Sequence, residues 1–463
     1  MARKPTLISR ARENVPLLIL GLLLLATFVM GGGARGDIIS LVVLRPLAIL
    51  CLAIGLLGLR REHWRKYRLP LSLLASVWAL IALHLVPLPP AVWSILPGRA
   101  LVLEIDELAG LEGVWRPLTL VPYRGWNAFW AMAVPAAVMV LAVQLRPEQH
   151  LVLLRGILAI ALCSAALGVL QVVSGYHPLL FPYRISNFDS PVGLFSNRNH
   201  QAALLCTILP MLALVAAQAK GTSRKAIQAL TAGLATIVVL LILAVGSRAG
   251  LGFMVLGAAS AWPILRGSGG GSAHRTRKRT WVAPAAIGAA GLLVVIALAV
   301  IFSRANAIER IASADGVEEY RFEVWRVAWD ALPGFQPVGS GIGSFVEVFK
   351  MVEPPQMLGL NYWNHAHNDW LEWTLEGGVP ALVLLVIAVL GWARQALGIR
   401  QQLQARRFET LLGAVGAVII LILGLWSLVD YPLRVPSLAC LCVIAAVWMS
   451  APGAARVHRS DFT

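Results

Sequence analysis

Apolar runs of roughly the 20 residues that a helix needs to cross a bilayer recur along the whole chain, separated by short polar breaks. About twelve of these runs are predicted as spans, near 15–33, 38–58, 69–86, 125–144, 151–173, 199–217, 226–246, 249–265, 281–301, 377–392, 410–428 and 433–450. The single long polar interruption runs from Phe302 to Glu376. The chain therefore divides into a nine-span region (1–301), a large loop (302–376) and a three-span region with its tail (377–463). The predicted fold is all-α: a polytopic membrane protein with about twelve transmembrane helices and one long, partly helical loop.

Composition agrees, with 58% apolar and 13% charged residues in 463. The net charge of +16 would suit a nucleic-acid binder, but its distribution excludes that class. Basic residues gather in alternate breaks, above all at 60–68 and 266–279, while the acidic residues fall on the other side. By the positive-inside rule both termini are cytoplasmic and the long loop is external. The basic clusters then lie against anionic headgroups. The first apolar run lacks a good small-residue cleavage site and reads as an uncleaved helix. Cys51, Cys163, Cys206, Cys440 and Cys442 all fall in spans without metal-ligand spacing, so no disulfide is expected.

Two passages in the long loop have helical periodicity, YRFEVWRVAWDALPGF (320–335) and NHAHNDWLEWTLEGG (364–378). In the first, Glu319, Glu323, Arg326 and Asp330 share a charged face, and Arg321 sits among Val317, Val324, Trp325, Ala328 and Leu332 on the other. Taken as one helix, the second sets His365 with Asp369, Glu372 and Glu376, and His367 opposite with Trp370, Leu371, Thr374 and Gly378. An arginine and a histidine on apolar faces need partners. Elsewhere on the external side, Asn197, Arg198, Asn199 and His200 open the sixth span, Arg248 occupies the tight turn GSRAG, and Asp430 and Arg434 lie in WSLVDYPLRVPS. An asparagine at a helix start is often a cap, which is the alternative for Asn197 or Asn199.

In this order and spacing SNRNHQAALL, GSRAG, RFEVW, GFQPVGSGIGSF, HAHNDWLEWTLEGGVP and LVDYPLRVP resemble the bacterial O-antigen ligase and polymerase superfamily, over roughly residues 190–437. The resemblance implies an integral glycosyltransferase of the bacterial inner membrane, active at the periplasmic face without cofactor or metal. Its donor would be a glycan on undecaprenyl diphosphate, and its acceptor another lipid-linked glycan, the lipid A core or a protein hydroxyl. His367, Asn368 and Gly378 match the family's histidine motif, which implies His367 as the base. Arg248 and Arg321 match the arginines that bind the donor diphosphate. Asn197-Arg198-Asn199 departs from the family's Asn-Pro-Asn, replacing a rigid proline with a charge.

The residues support the same chemistry directly. Two guanidinium forks suit a diphosphate and the charge that grows on it as it leaves. A histidine suits removal of a hydroxyl proton at neutral pH. Tyr320, His365, Asn368, Asn197, Asn199 and Asp430 are further candidates for binding or orienting substrate. No inward-facing carboxylate pair of the glycosidase kind is evident in the sequence. His365 and His367 are poorly spaced for zinc, and GSGIGSF lacks the ending of a phosphate loop and reads as a bend. A transporter is the rival class, although the unusual polar residues gather at one membrane face rather than at its middle. The acidic long loop disfavours a phosphorylated lipid A core and favours a polymerase over a ligase.

Overall fold

The computed structural model describes residues 7–265, 316–359, 362–405 and 407–450, with side chains from Asn14 in the first stretch and from Tyr320 in the second. The expected span at 281–301 and the basic linker at 266–279 lie outside the described residues. The principal helices, in chain order, are α1 (Leu7–Met30), α2 (Leu41–Gly58), α3 (Arg68–His84), α4 (Pro122–Ala142), α5 (Pro147–Val173), α6 (Arg198–Gln218), α7 (Arg224–Val245) and α8 (Arg248–Leu265). After them come α9 (Gly316–Ala331), α10 (Phe345–Val352), α11 (Asp369–Gln402), α12 (Phe408–Trp426) and α13 (Pro436–Ser450). Among the described residues, strand is confined to one short antiparallel pairing of Pro87–Leu88 with Arg116–Pro117.

Eight of these helices, α2, α4 to α8, α11 and α12, are long and apolar enough to cross a membrane. The apolar parts of α1, α3 and α13 are shorter. A helix satisfies its own backbone hydrogen bonds, which is what hydrocarbon demands. Leu22, Val43, Leu57, Leu230, Val255 and Leu390 stand exposed on helix surfaces, as lipid-facing side chains do. The protein is an integral membrane protein. Its core is centred on α6, which is apolar all round and buried between α5, α7, α8 and α12.

The loop between α8 and α11 has a core of its own. Val324, Val327 and Ala328 of α9 pack with Phe345, Val348 and Phe349 of α10, and with Ala366, Leu371 and Leu375 at the start of α11. The periodicity of 320–335 is thus realised as α9 plus a 3-10 turn at Leu332–Phe335, with the predicted apolar residues Val324, Trp325, Ala328 and Leu332 facing this core. The second passage is different. The helix begins only at Asp369, and Asn368 caps it by accepting a hydrogen bond from the Leu371 N–H at 3.1 Å. His365 and His367 therefore precede the helix, and the helical phase that set them on opposite faces does not exist.

α11 kinks at Gly378, whose φ of 63° and ψ of −156° belong to a region reserved for glycine. The segment GFQPVGSGIGSF crosses the kink, with the Val379 N–H donating to Pro337 O at 2.8 Å and the Gly341 N–H donating to Glu376 O at 2.8 Å. The Ser340 and Gly341 amides of this glycine-rich stretch donate to the Leu375 and Glu376 carbonyls of α11, which makes it a brace. A Cβ on Gly378 would stand 2.2 Å from Pro337 O, and one on Gly339 2.3 Å from Glu376 O. Gly378→Ala is expected to cost about 1–3 kcal/mol through backbone strain alone, with the clash added. Thermal unfolding of the purified variant in detergent checks this, and an unchanged midpoint would show that the kink relaxes.

Candidate functional site

Four segments converge beside the starts of α6 and α11. The corner between α12 and α13 contributes Asp430, Tyr431 and Arg434, and the run into α11 contributes Asn364, His365 and His367. The start of α6 supplies Asn197, Asn199 and His200, while α9 brings Arg321. His367 is buried, and its Nδ1 lies 3.1 Å from Asp430 Oδ1. Asp430 also accepts from Asn199 Nδ2 at 2.7 Å and from the Tyr431 N–H at 3.0 Å. With one oxygen shared between His367 and a backbone amide, and the other held by Asn199, the carboxylate is fixed. It keeps the imidazole Nδ1 protonated and leaves Nε2 as the acceptor.

Tyr431 is the hub of the aromatic contacts. The rings of His365, His367 and His200 lie 4.4, 4.8 and 5.2 Å from its own. Asn364 and Asn197 lie close enough to its hydroxyl to favour its ionised form, against burial. Asn197 is also the cap of α6, accepting from the Asn199 N–H at 2.8 Å, which is the capping reading. Neither ring nitrogen of His200 has a hydrogen-bond partner.

Electrostatics favour a neutral histidine beside a charged aspartate. Burial lowers the pKa of His367 below its ordinary value, and the Asp430 carboxylate only partly opposes this. Burial works against the Asp430 charge, yet the bond from His367 and the neighbouring positive charges hold its pKa well below the usual carboxylate range. Burial raises the Tyr431 phenol, so it stays protonated. The charge of Arg321 bears on all three groups.

The backbone of His367 has φ 52°, a left-handed conformation uncommon for a residue with a side chain. It is held by its neighbour. The Ala366 N–H donates to Glu372 Oε2 at 2.7 Å, and Ala366 O accepts from Trp325 Nε1 at 2.8 Å. Trp325 lies one turn beyond Arg321 on α9, so the contact that holds the histidine loop also sets the position of the arginine.

A second layer holds this loop. Glu372 also bonds His365 Nδ1 at 2.9 Å. Arg434 contacts Asp369 Oδ1 at 2.9 Å, Glu372 Oε1 at 3.1 Å and Glu376 Oε2 at 3.4 Å. Glu376 in turn accepts from the Phe345 N–H at 2.9 Å. The row Asp369, Glu372 and Glu376, which periodicity set on one charged face, is turned inward because Arg434 lies there to neutralise it. The sequence reading that saw no inward carboxylates is corrected accordingly. Each of these oxygens is engaged by a cation or an amide.

The other expected residues are less closely gathered. Arg248 is the first residue of α8 and exposed, following Gly246, which ends α7 with φ 66°. That end of α8 lies against α6, where a Cβ on Gly250 would stand 3.1 Å from the Ala202 side chain. Tyr320 is exposed on α9, and Asn368 is occupied as a cap. Sequence reasoning missed Tyr431 and the roles of Arg434, Glu372 and Glu376. The signal for Tyr431 and Arg434 was the polar run DYPLR between two apolar spans.

Residues 202–386 match the family model described as O-Antigen ligase. This supports the place in the ligase and polymerase superfamily that the sequence motifs suggested. The matched segment contains Arg248, Arg321, His367 and Asn368, while Asn197, Asn199, Asp430 and Arg434 lie outside it. No curated protein matches the chain.

Removing Arg434 leaves three carboxylates facing one another in a buried space. Arg434→Met is expected to lower stability by about 3–5 kcal/mol, with Arg434→Lys recovering part. Thermal unfolding in detergent measures it, and wild-type stability in Arg434→Met would mean the carboxylates are neutral without the arginine.

Proposed function

We propose that this O-antigen ligase family protein is an inverting, metal-independent glycosyltransferase of the bacterial inner membrane. It moves a glycan from undecaprenyl diphosphate to an acceptor hydroxyl at the periplasmic face, as a polymerase of surface polysaccharide. The family indicates ligase or polymerase chemistry. The observation that carries the finer reading is the buried His367–Asp430 pair, neutral at the imidazole and within reach of the Arg321 charge.

In this reading Nε2 of His367 takes the proton of the acceptor hydroxyl as its oxygen attacks C1 of the donor sugar. Asp430 orients the ring and stabilises the imidazolium that forms. The bond from C1 to the diphosphate breaks on the opposite side, inverting the anomeric centre. Arg248 and Arg321 receive the diphosphate and the charge it gains. Diphosphate leaves without a general acid, which agrees with the engagement of Glu372 and Glu376 elsewhere. About twelve spans with both termini in the cytoplasm would put these groups at the periplasmic surface. A transporter is disfavoured because the polar groups gather at one end of the helices.

Transfer from a synthetic undecaprenyl-diphosphate glycan is the assay. His367→Ala and Asp430→Asn should each lower turnover roughly 10²–10⁴-fold while donor binding survives, and His365→Ala should cost much less. Because burial lowers the His367 pKa, the base stays unprotonated at neutral pH, and the rate should fall only below the ordinary histidine value of about 6.5. An active His367→Ala would remove His367 as the base.

Arg321→Lys keeps the charge but loses the fork, and should lose roughly 2–5 kcal/mol of transition-state stabilisation. A near-normal rate in that variant would mean that a diffuse positive field suffices. Gel analysis of surface glycans after gene deletion separates the two acceptor classes. A core bearing a single repeat indicates a polymerase, and a bare core with accumulated lipid-linked chains indicates a ligase.

A further inference from the structure

A cavity of about 840 Å³ lies on the His365 side of the site. Asn364 and His365 belong to its lining, but His367, Arg248 and Arg321 do not. The candidate donor arginines are therefore not its walls. Along α11 the lining residues run from Asp369, past the kink at Gly378, to Ala388. Arg434 and the α11 carboxylates Asp369, Glu372 and Glu376 line one end. The deep end is lined by Leu73, Leu74 and Val77 of α3, Leu384 and Leu385 of α11, and Val443 of α13.

Arg45 marks where the two ends meet. It is the fifth residue of α2, about one turn inside an otherwise apolar helix. One guanidinium nitrogen donates to Asn127 Oδ1 at 2.7 Å, while the buried Nε has no hydrogen-bond partner. Arg35 and Arg124, which also line the cavity, have Asp37 and Glu347 as partners. Arg45 has no carboxylate partner among the described residues. A half-buried guanidinium facing a cavity at headgroup depth, answered only by a neutral amide, calls for an anion.

We propose that this cavity binds a second, single-chain lipid phosphate, with its phosphate on Arg45 and Asn127 and its chain along α3 and α11. Resting on the function proposed above, this lipid is the acceptor, and its glycan passes the Asn364–His365 wall to reach His367. The volume is that of a pocket for one compact ligand, which suits part of one polyprenyl chain and not the several chains of a multiply acylated glycolipid. The site therefore points to a polyprenyl-linked acceptor.

The test is photolabelling of the full-length protein in lipid nanodiscs with a diazirine-tailed polyprenyl phosphate, alongside the matching polyprenol. The phosphate should label peptides of α3 and α11, with the polyprenol at least tenfold weaker. Arg45→Gln should reduce phosphate labelling to the polyprenol level, and Arg45→Lys, which keeps the charge, should retain more. Leu385→Trp, which fills the deep end, should also block labelling without touching the polar end. Equal labelling by phosphate and polyprenol, or wild-type labelling in Arg45→Gln, would overturn the site. Labelling requires no turnover, so it is read even if the transferase reading fails. In the transfer assay Arg45→Gln should raise the KM for the lipid acceptor at least tenfold and leave the donor KM in place. A rise in the donor KM alone would overturn the acceptor assignment.

Discussion

The site depends on a single buried cation. Arg434 lies among Asp369, Glu372 and Glu376, so the start of α13 is tied electrostatically to the first two turns of α11. Burying charge is costly unless every member is paired, and here each carboxylate has Arg434 together with an amide, a histidine or a hydroxyl. Because Glu372 is fixed by this cluster, its remaining oxygen can hold the Ala366 N–H and with it the loop between the two histidines. The left-handed backbone at His367 persists because both sides of Ala366 are held, one by Glu372 and the other by Trp325. Stability at the top of the bundle and the aim of the imidazole thus share one cause.

This arrangement separates two duties that the sequence placed side by side. His365 faces the carboxylate cluster and is bound by Glu372, while His367 faces Asp430. Tyr431 lies between them and touches both rings. The side of Tyr431 that meets His367 also meets α6 and lies within the influence of Arg321. His365, on the other side, lines the long cavity together with Arg45. The proposed transfer between two lipid-borne molecules needs two approaches to one base, and the cavity that His365 lines would be one of them.

The membrane helices were largely legible in the sequence, because hydrocarbon imposes long apolar runs whatever the tertiary packing. Eleven of the expected spans overlap a described helix, eight of them long and apolar enough to cross. α9 was legible for a similar reason, since one face must cover the loop core. The start of α11 was misread. NHAHN continues the periodicity of the helix that follows it, but Asn368 is a cap, with Asp369 and Glu372 in the first turn. Reading that as helix interior gave His365 and His367 a phase they do not have. The inward carboxylates were illegible because their counter-ion, Arg434, is 58 residues beyond Glu376. No local periodicity reports a partner at that distance. Asp430 entered as a candidate through its place in a polar corner, and its bond to His367 is a tertiary fact.

The central claim is that Asp430 holds a neutral His367 with its proton on Nδ1 and its lone pair on Nε2. Nitrogen NMR of 15N-histidine-labelled protein, with the signal assigned by loss in His367→Gln, reads this directly. The account predicts the neutral Nδ1–H tautomer of His367 at pH 7. The Nε2–H tautomer, or an imidazolium at pH 7, would contradict it.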